Sequence, residues 1–326
     1  MRDALRRITT AAGILLGVMM APAVAQQPAW PTRVVTLVVP FQAGGSADII
    51  ARTVAEHISA AIGQPIVVDN RGGAGGNVAA AAVAKAAADG YTIFFGSTGP
   101  TATNVLMYKN LSFDPRRDFT PIVLVGKTPV IIVARPDAPV ASLKELIAYA
   151  KENPAKLSAG FPGNGTLGHI TGVLLHQQAG VDLKHVQYRG GGSIITDLLG
   201  GHIDVGMDAM TPYITTVQDG KLRALAVASH GRVKQLPDVP TVSESGLPGF
   251  EASVWYCLLA PTGVPDDLVA KLNAATNDFL KTTKAQELFE KLGVISGGGT
   301  PAEMKTFIAD EIERWGPVVR AAKIQF

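Results

Sequence analysis

The chain has little with which to do covalent or redox chemistry. It holds one cysteine in 326 residues, Cys257, inside the apolar run "VWYCLLAP". A lone cysteine forms no internal disulfide, and in that setting it reads as a small buried hydrophobe. No Gly-x-Ser-x-Gly elbow is present, because "FGSTG" puts Ser97 directly after Gly96. A Walker A turn is missing too. The six histidines (His57, His169, His176, His185, His202 and His230) form no His-x-His or His-x-x-x-His pair. His169 and His176 share a predicted helix, but no carboxylate stands at helical spacing beside them, so no metal site is expected. No two acids are spaced as an acid–base pair, and no catalytic residue is expected.

An excess of one charge is also missing. Lys and Arg number 29 against 27 Asp and Glu. Residues 1–25 hold three of the former (Arg2, Arg6, Arg7) and one of the latter (Asp3), which leaves 26 against 26 in the remainder. That balance argues against nucleic acid or an anionic membrane surface as partner. Long hydrophobic runs are absent as well. The uncharged stretch "ITTAAGILLGVMMAP" is about 15 residues, short of the roughly 20 that a spanning helix needs. It follows the basic start "MRDALRR" and precedes "AVA" at 23–25. Basic start, short apolar core and Ala-x-Ala end predict an export signal, residues 1–25, cleaved after Ala25. An exported chain without disulfides depends on its core, and about 300 residues can bury one or two.

What the chain does have is glycine, 35 residues of it, and 21 prolines, spread over many short turns. Apolar runs alternate with amphipathic patterns. "RVVTLVVP" (33–40), "PIVVDN" (65–70) and "YTIFFGS" (91–97) read as strands. Helices over 46–63 and over the Ala-rich segment ending at Gly90 separate them. Strands that are apolar throughout predict a parallel sheet covered on both faces, so the chain opens as βαβαβ. "FTPIVLVGKTPVIIVARP" (119–136) reads as two strands run together. Helices follow over 142–153, 169–179, 193–200 and 212–219, with strands "LSAGF", "HVQY", "HIDVGMD" and "LRALAVAS" between them. Past residue 250 come the strand "SVWYCLLAP", a helix from Pro265 to about Thr282 and a last helix from Pro301. Ser142 with Glu145, and Thr300 with Glu303, have capping-box spacing. So many α/β units predict two lobes, each with its own sheet.

Three glycine turns lie between a strand and a helix: "PFQAGGSAD" (40–48), "GSTGPT" (96–101) and "GNGTLGH" (163–169). Such turns sit at the carboxyl ends of strands, the ligand-binding edge of open α/β sheets. The first N–H groups of each helix are unpaired and carry the positive end of its dipole. Gly44, Gly45 and Gly163 let a ligand approach that backbone. Together the turns predict an anion cradle without Arg or Lys. Ser46, Ser97, Thr98, Thr101 and Thr166 add hydroxyls. A fourth turn, "GGAGGN" (72–77), reads as close helix–sheet packing.

"GNGTLG" also matches the dinucleotide fingerprint Gly-x-Gly-x-x-Gly. Pro162 interrupts the step from strand to turn, however. The next acid, Asp182, comes 14 residues after Gly168, where the fingerprint wants one about 20 on. No cofactor is therefore expected. Asp48 suits either the helix dipole or bonding to the turn's N–H groups. Asp208, at the end of a strand, suits either ligand contact or capping of the next helix.

In this order the motifs resemble the exported solute receptors of tripartite tricarboxylate transporters, the Bug family. The marks are "VPFQAGGSADIIAR" (39–52), "VVDNRGGAGGNVAA" (67–80), "DGYTIFFGSTG" (89–99), "DFTPI" (118–122), "GNGTLGHI" (163–170), "VQYRGGG" (186–192), "DLLGGHIDVGMD" (197–208) and "LPDVPTVSESGLPGFEASVWYCLLAP" (236–261). The resemblance implies an α/β, two-lobed type II periplasmic binding protein fold, each lobe a mostly parallel sheet flanked by helices. Lobe one would comprise 27–126 and 251–326, and lobe two 127–250, with the ligand cleft between them. The chain would be a periplasmic monomer that closes on a small mono-, di- or tricarboxylate or an aromatic acid. It would deliver that solute to the membrane subunits of a tripartite transporter. Carried over by motif, the ligand positions are Phe41, Ala43, Gly44, Asp48, Ser97, Thr98, Thr166, His169 and Asp208, with Gly45 and Gly163 in the same turns. Gln42 and Ser46 vary the family's first turn, and Arg189 stands where Lys is common. Phe41, Met207 and Tyr213 would be the bulky groups near the cleft. Ligand sensing without transport is the alternative reading, and an exported hydrolase a further one.

Overall fold

Val35–Val39 (β1) is β-branched at every position but Leu37, a composition that suits a pleated, covered strand. In the computed structural model, which describes residues 30–326, it lies between two parallel neighbours. The expected export signal lies outside the described residues. Helix α1 (Ser46–Ile62) leads from β1 to β2 (Ile66–Asn70), and α2 (Asn77–Ala84) leads on to β3 (Thr92–Ser97), giving the parallel order β2-β1-β3. The βαβαβ opening is thus present. β2 is an edge strand, and Val67 on it is 52% exposed, so cover on both faces fails there. α1 ends on Gly63 at φ 76°, the left-handed cap that glycine adopts without strain. After β3 no regular helix follows. The chain takes a π-turn over Gly99–Thr103 and a 3₁₀ turn over Asn104–Leu106.

Phe119–Ala134 (β4) is a single strand of 16 residues where two were expected. Beyond it come α3 (Leu143–Glu152), β5 (Ser158–Phe161), α4 (Leu167–Ala179), β6 (Lys184–Gln187), α5 (Gly191–Leu199), β7 (Val205–Ala209), α6 (Ile214–Gln218) and β8 (Arg223–Val227). β9 (Ser253–Pro261), α7 (Asp266–Leu280), α8 (Thr283–Lys291), β10 (Ile295–Gly298) and α9 (Pro301–Ala321) complete the chain. The first part of β4 pairs antiparallel with β9 and β10; its later part pairs antiparallel with β7 and β8. One strand therefore serves two sheet segments. β5, β6 and β7 are parallel to one another, like β1, β2 and β3. Each segment so joins a parallel βαβ run to antiparallel strands. The register on β9 shifts beside Pro121 and again between Leu124 and Gly126, irregularities that admit a proline inside a sheet.

One core lies under the later segment, with Phe161, Leu167, Ile170, Leu175 and Met207 among its buried residues; Trp315, Val319 and Ile324 from the chain's end join it. Another gathers Phe94, Phe119, Trp255, Cys257 and Ile308 beneath the first segment. Cys257 is buried and free, as its apolar setting suggested. Two capping expectations differ in outcome. Thr300 and Glu303 form the full reciprocal box. Ser142 accepts the Glu145 N–H, but the Glu145 carboxylate takes the N–H of Ala141 instead of that of Ser142. The helix α8 and strand β10 were not foreseen. β10 is exposed along nearly its whole length, with Ile295 at 70%, so it lacks the apolar pattern that announces a strand.

Candidate functional site

Four turns at strand ends meet around one cleft. The β1–α1 turn supplies Phe41, Gly45, Ser46 and Ala47, and the end of β3 supplies Ser97, Thr98 and Gly99. Pro162, Thr166, Leu167 and Gly168 come from the β5–α4 turn, and Gly191 from the start of α5. Asp208 and Ala209 enter from the end of β7, and Val254 and Tyr256 from β9. Among the described residues no Lys, Arg or His lines it.

Two of the helices that open here have no side-chain cap. α1 starts after Gly45 and α5 after Gly190, each without a capping side-chain bond. Their first N–H groups are accordingly available to an anion, reinforced by the helix dipole. α4 differs, because Thr166 caps it by accepting the His169 N–H at 3.4 Å while its own hydroxyl donates to Gly163 O at 2.7 Å. Thr98 Oγ1 accepts the backbone N–H of Trp255 at 3.0 Å, and its own hydrogen remains to be donated. Ser46 Oγ donates to Ala209 O at 3.1 Å, tying the first turn to the end of β7. Tyr256, the register partner of Ser97 across β3 and β9, lines the cleft with Ser46.

The eleven positions singled out from sequence separate here. Phe41, Gly45, Ser97, Thr98, Thr166 and Asp208 line the cleft. Ala43 and Gly44 are exposed and stand against Gly192 at the start of α5, outside the lining. Asp48 faces away: Oδ2 accepts the Gly44 N–H and Oδ1 accepts from Arg52 Nε, both at 2.9 Å. Burial opposes its charge, but the bonds from Arg52, Gly44 and Asn70 outweigh it and hold the carboxyl below the usual range. Gly163 supports the Thr166 cap at φ 129°. His169 is buried among Phe161, His185 and Phe326, its ring centroid 5.6 Å from each. Burial, aided by His185, pushes it down to about 4, so it is a neutral ring at neutral pH. Met207 and Tyr213 are buried in the cores and are not among the lining residues.

Sequence reasoning missed Gly191, Val254 and Tyr256. Gly191 had a usable signal: "YRGGG" stands between a strand and a helix like the other turns. Val254 and Tyr256 had none, since their run reads as a core strand. The two sides of the cleft meet closely. Gln42 N–H donates to Arg189 O at 3.2 Å, Ser193 Oγ to Gln42 Oε1 at 3.0 Å and Tyr108 OH to Asn164 O at 2.8 Å. The fourth turn fits here as packing: Gly75, at φ 62°, sits so close that a Cβ on it would lie 2.1 Å from Asn164 O.

Asp208 is the one ionisable carboxyl of the cleft lining. Burial pushes it up to about 7, against the pull of the Ala209 N–H and the Tyr213 hydroxyl. Among the described residues no group of three or more His, Cys, Asp or Glu is arranged to hold a metal ion. Nor is any helix there long and apolar enough to cross a membrane. Such a lining suits an anion and offers no activated nucleophile.

Residues 50–324 match the family described as tripartite tricarboxylate transporter family receptor. Protein BugT of Bordetella pertussis is 34% identical over 315 residues, covering 96% of this chain and 97% of that protein. The solved structure of Rpa4515 from R. palustris, with adipate, superposes with a TM-score of 0.88 at 38% identity, covering 91% of this chain and 99% of that one. MatC from Rhodopseudomonas palustris, with bound malate, gives 0.85 at 35% identity over 89% and 100%. Periplasmic binding protein BugD shares the same α/β fold, with a TM-score of 0.87. The chain belongs to the tripartite tricarboxylate transporter receptor family, the Bug proteins, which are solute receptors and not enzymes.

Proposed function

We propose that the protein captures a small carboxylate in the periplasm by closing two lobes around it, and hands it to the membrane subunits of a tripartite transporter. The lobes are residues 27–126 with 251–326, and residues 127–250, with the last turns of α9 resting on the second lobe. The observation that carries the reading is a buried cleft that gathers two uncapped helix starts and several hydroxyls without a single cationic side chain. Backbone N–H groups there suit a carboxylate, and adipate and malate accompany the structures of two relatives. A ligand held by both sides favours the closed arrangement by as much as it prefers that form. The receptor works as a monomer, exported and trimmed after Ala25.

Thr166→Ala tests the grip. Thr166 caps α4 and lines the cleft, and losing such a cap costs about 1 kcal/mol. If that loss falls on the ligand-bound form, carboxylate affinity drops about fivefold. His176→Ala, at the far end of the same helix, should leave affinity unchanged. Calorimetry giving the two variants equal affinity would remove Thr166 from the grip. Transport is tested separately, by growth of a gene-deletion strain on the bound acid as sole carbon source. Normal uptake without the protein would leave capture intact but refute delivery.

A further inference from the structure

Asp208 is an acid at the wall of a cleft whose other polar groups suit an anion. It is 7% exposed. Its Oδ1 accepts the Ala209 N–H at 2.7 Å, and its Oδ2 has only the Tyr213 hydroxyl at 3.4 Å. From α5, Gly191 presses so close that a Cβ there would lie 2.0 Å from Oδ2. From β4, the register partner is the apolar Ile131. From α1 comes the uncharged Ser46, and from β9 Tyr256. The titratable neighbours are thus Tyr213 and Tyr256, phenols whose burial raises them well above their ordinary range. Among the described residues no cation faces the carboxyl: Arg189 is exposed and Arg52 is engaged by Asp48.

Two carboxylates cannot share such a space with both charged. A protonated carboxyl, by contrast, donates a short, strong bond to a carboxylate oxygen. Protonation at neutral pH costs little, because burial already holds Asp208 at about 7. The alternative is a ligand ammonium beside an ionised Asp208. The positive ends of α1 and α5 at the same cleft oppose it.

We propose that Asp208 takes up one proton from solvent as a carboxylate enters the cleft and donates it in a hydrogen bond to that carboxylate, so that capture is proton-coupled and favours acids without a cationic group. The ligand stays anionic, no covalent bond changes, and the proton returns to solvent on release. The inference rests on the carboxylate reading above.

Calorimetry with adipate and with malate, in buffers of different protonation enthalpy, counts the protons. With the free group near 7, uptake should be about 0.9 per ligand at pH 8 and about 0.1 at pH 6. Affinity should be level up to about pH 7 and then fall about tenfold per pH unit. Asp208→Asn should abolish the uptake and flatten the pH profile, whatever its absolute affinity. As a check that needs no variant, an infrared carboxylic-acid band should appear in the wild type at pH 8 when adipate is added. Binding without proton uptake, uptake that persists in D208N, or affinity that rises with pH would each overturn the proposal while leaving carboxylate capture standing. Failure of every acid in a panel of mono-, di- and tricarboxylates and aromatic acids to bind at any pH would overturn both.

Discussion

Replacing Gly191 with alanine is expected to weaken carboxylate binding by roughly ten- to a hundredfold while the protein stays folded. The reason is local. Gly191 opens α5, and a Cβ there would lie 2.0 Å from Asp208 Oδ2 and 3.8 Å from Gly45 Cα. Real atoms do not approach to 2.0 Å, so Asp208 must move or the two turns must part. Overpacking of this kind costs about 1–3 kcal/mol, and each 1.4 kcal/mol is tenfold in affinity. The helix itself has no objection, since alanine is the better helix former. The strain therefore falls on the meeting of the β1–α1 turn, α5 and β7. Gly231→Ala is the matching control, because its Cβ would meet nothing within 4 Å. Calorimetry and thermal unfolding on both variants separate lost binding from lost fold. A G191A protein that binds as well as the wild type would mean that this meeting point is not part of the grip.

The second large effect concerns stability. Glu311, 6% exposed, accepts the indole N–H of Trp255 at 2.9 Å and that of Trp315 at 3.2 Å, and pairs with Arg314 at 3.1 Å. Trp255 in turn donates its backbone N–H to Thr98, so the hub also steadies a cleft hydroxyl. Glu311→Ala leaves two buried indole donors without this partner, and orphaned buried donors cost about 1–3 kcal/mol each. A total of about 3 kcal/mol, at about 2–4 °C per kcal/mol for chains of this size class, lowers Tm by about 6–12 °C. Glu311→Gln, which keeps one acceptor oxygen, should lose about half as much. Thermal unfolding followed by circular dichroism measures both. A Tm unchanged in E311A would show that the indoles find other partners.

The opening βαβαβ unit was legible because its strands and helices carry strong local patterns. So were the glycine turns, because a glycine-rich segment directly after an apolar strand has few other uses. What local pattern does not encode is direction. Asp48 sits in the first turn of α1 as expected, yet Arg52 and the Gly44 N–H turn it away from the cleft. His169 closes a glycine turn, yet its ring swings into the aromatic group of Phe161 and Phe326. Phe326 reaches that group from the end of the chain, across a sequence distance no periodicity spans. Tyr256 enters the cleft because β9 pairs with β3, opposite Ser97; the run "SVWYCLLAP" alone does not say which side faces the ligand. The long β4 looked like two strands because Gly126, Lys127, Thr128 and Pro129 interrupt its apolar run, yet pairing passes from β9 to β7 across them without a gap. Its continuity is a property of the pairing and not of the composition.

The most direct test of the central claim is calorimetric titration of the mature protein with a panel of mono-, di- and tricarboxylates and aromatic acids, adipate and malate included. The account predicts saturable one-to-one binding of at least one acid, weakened in the Gly191→Ala variant. A panel in which no acid binds would contradict it.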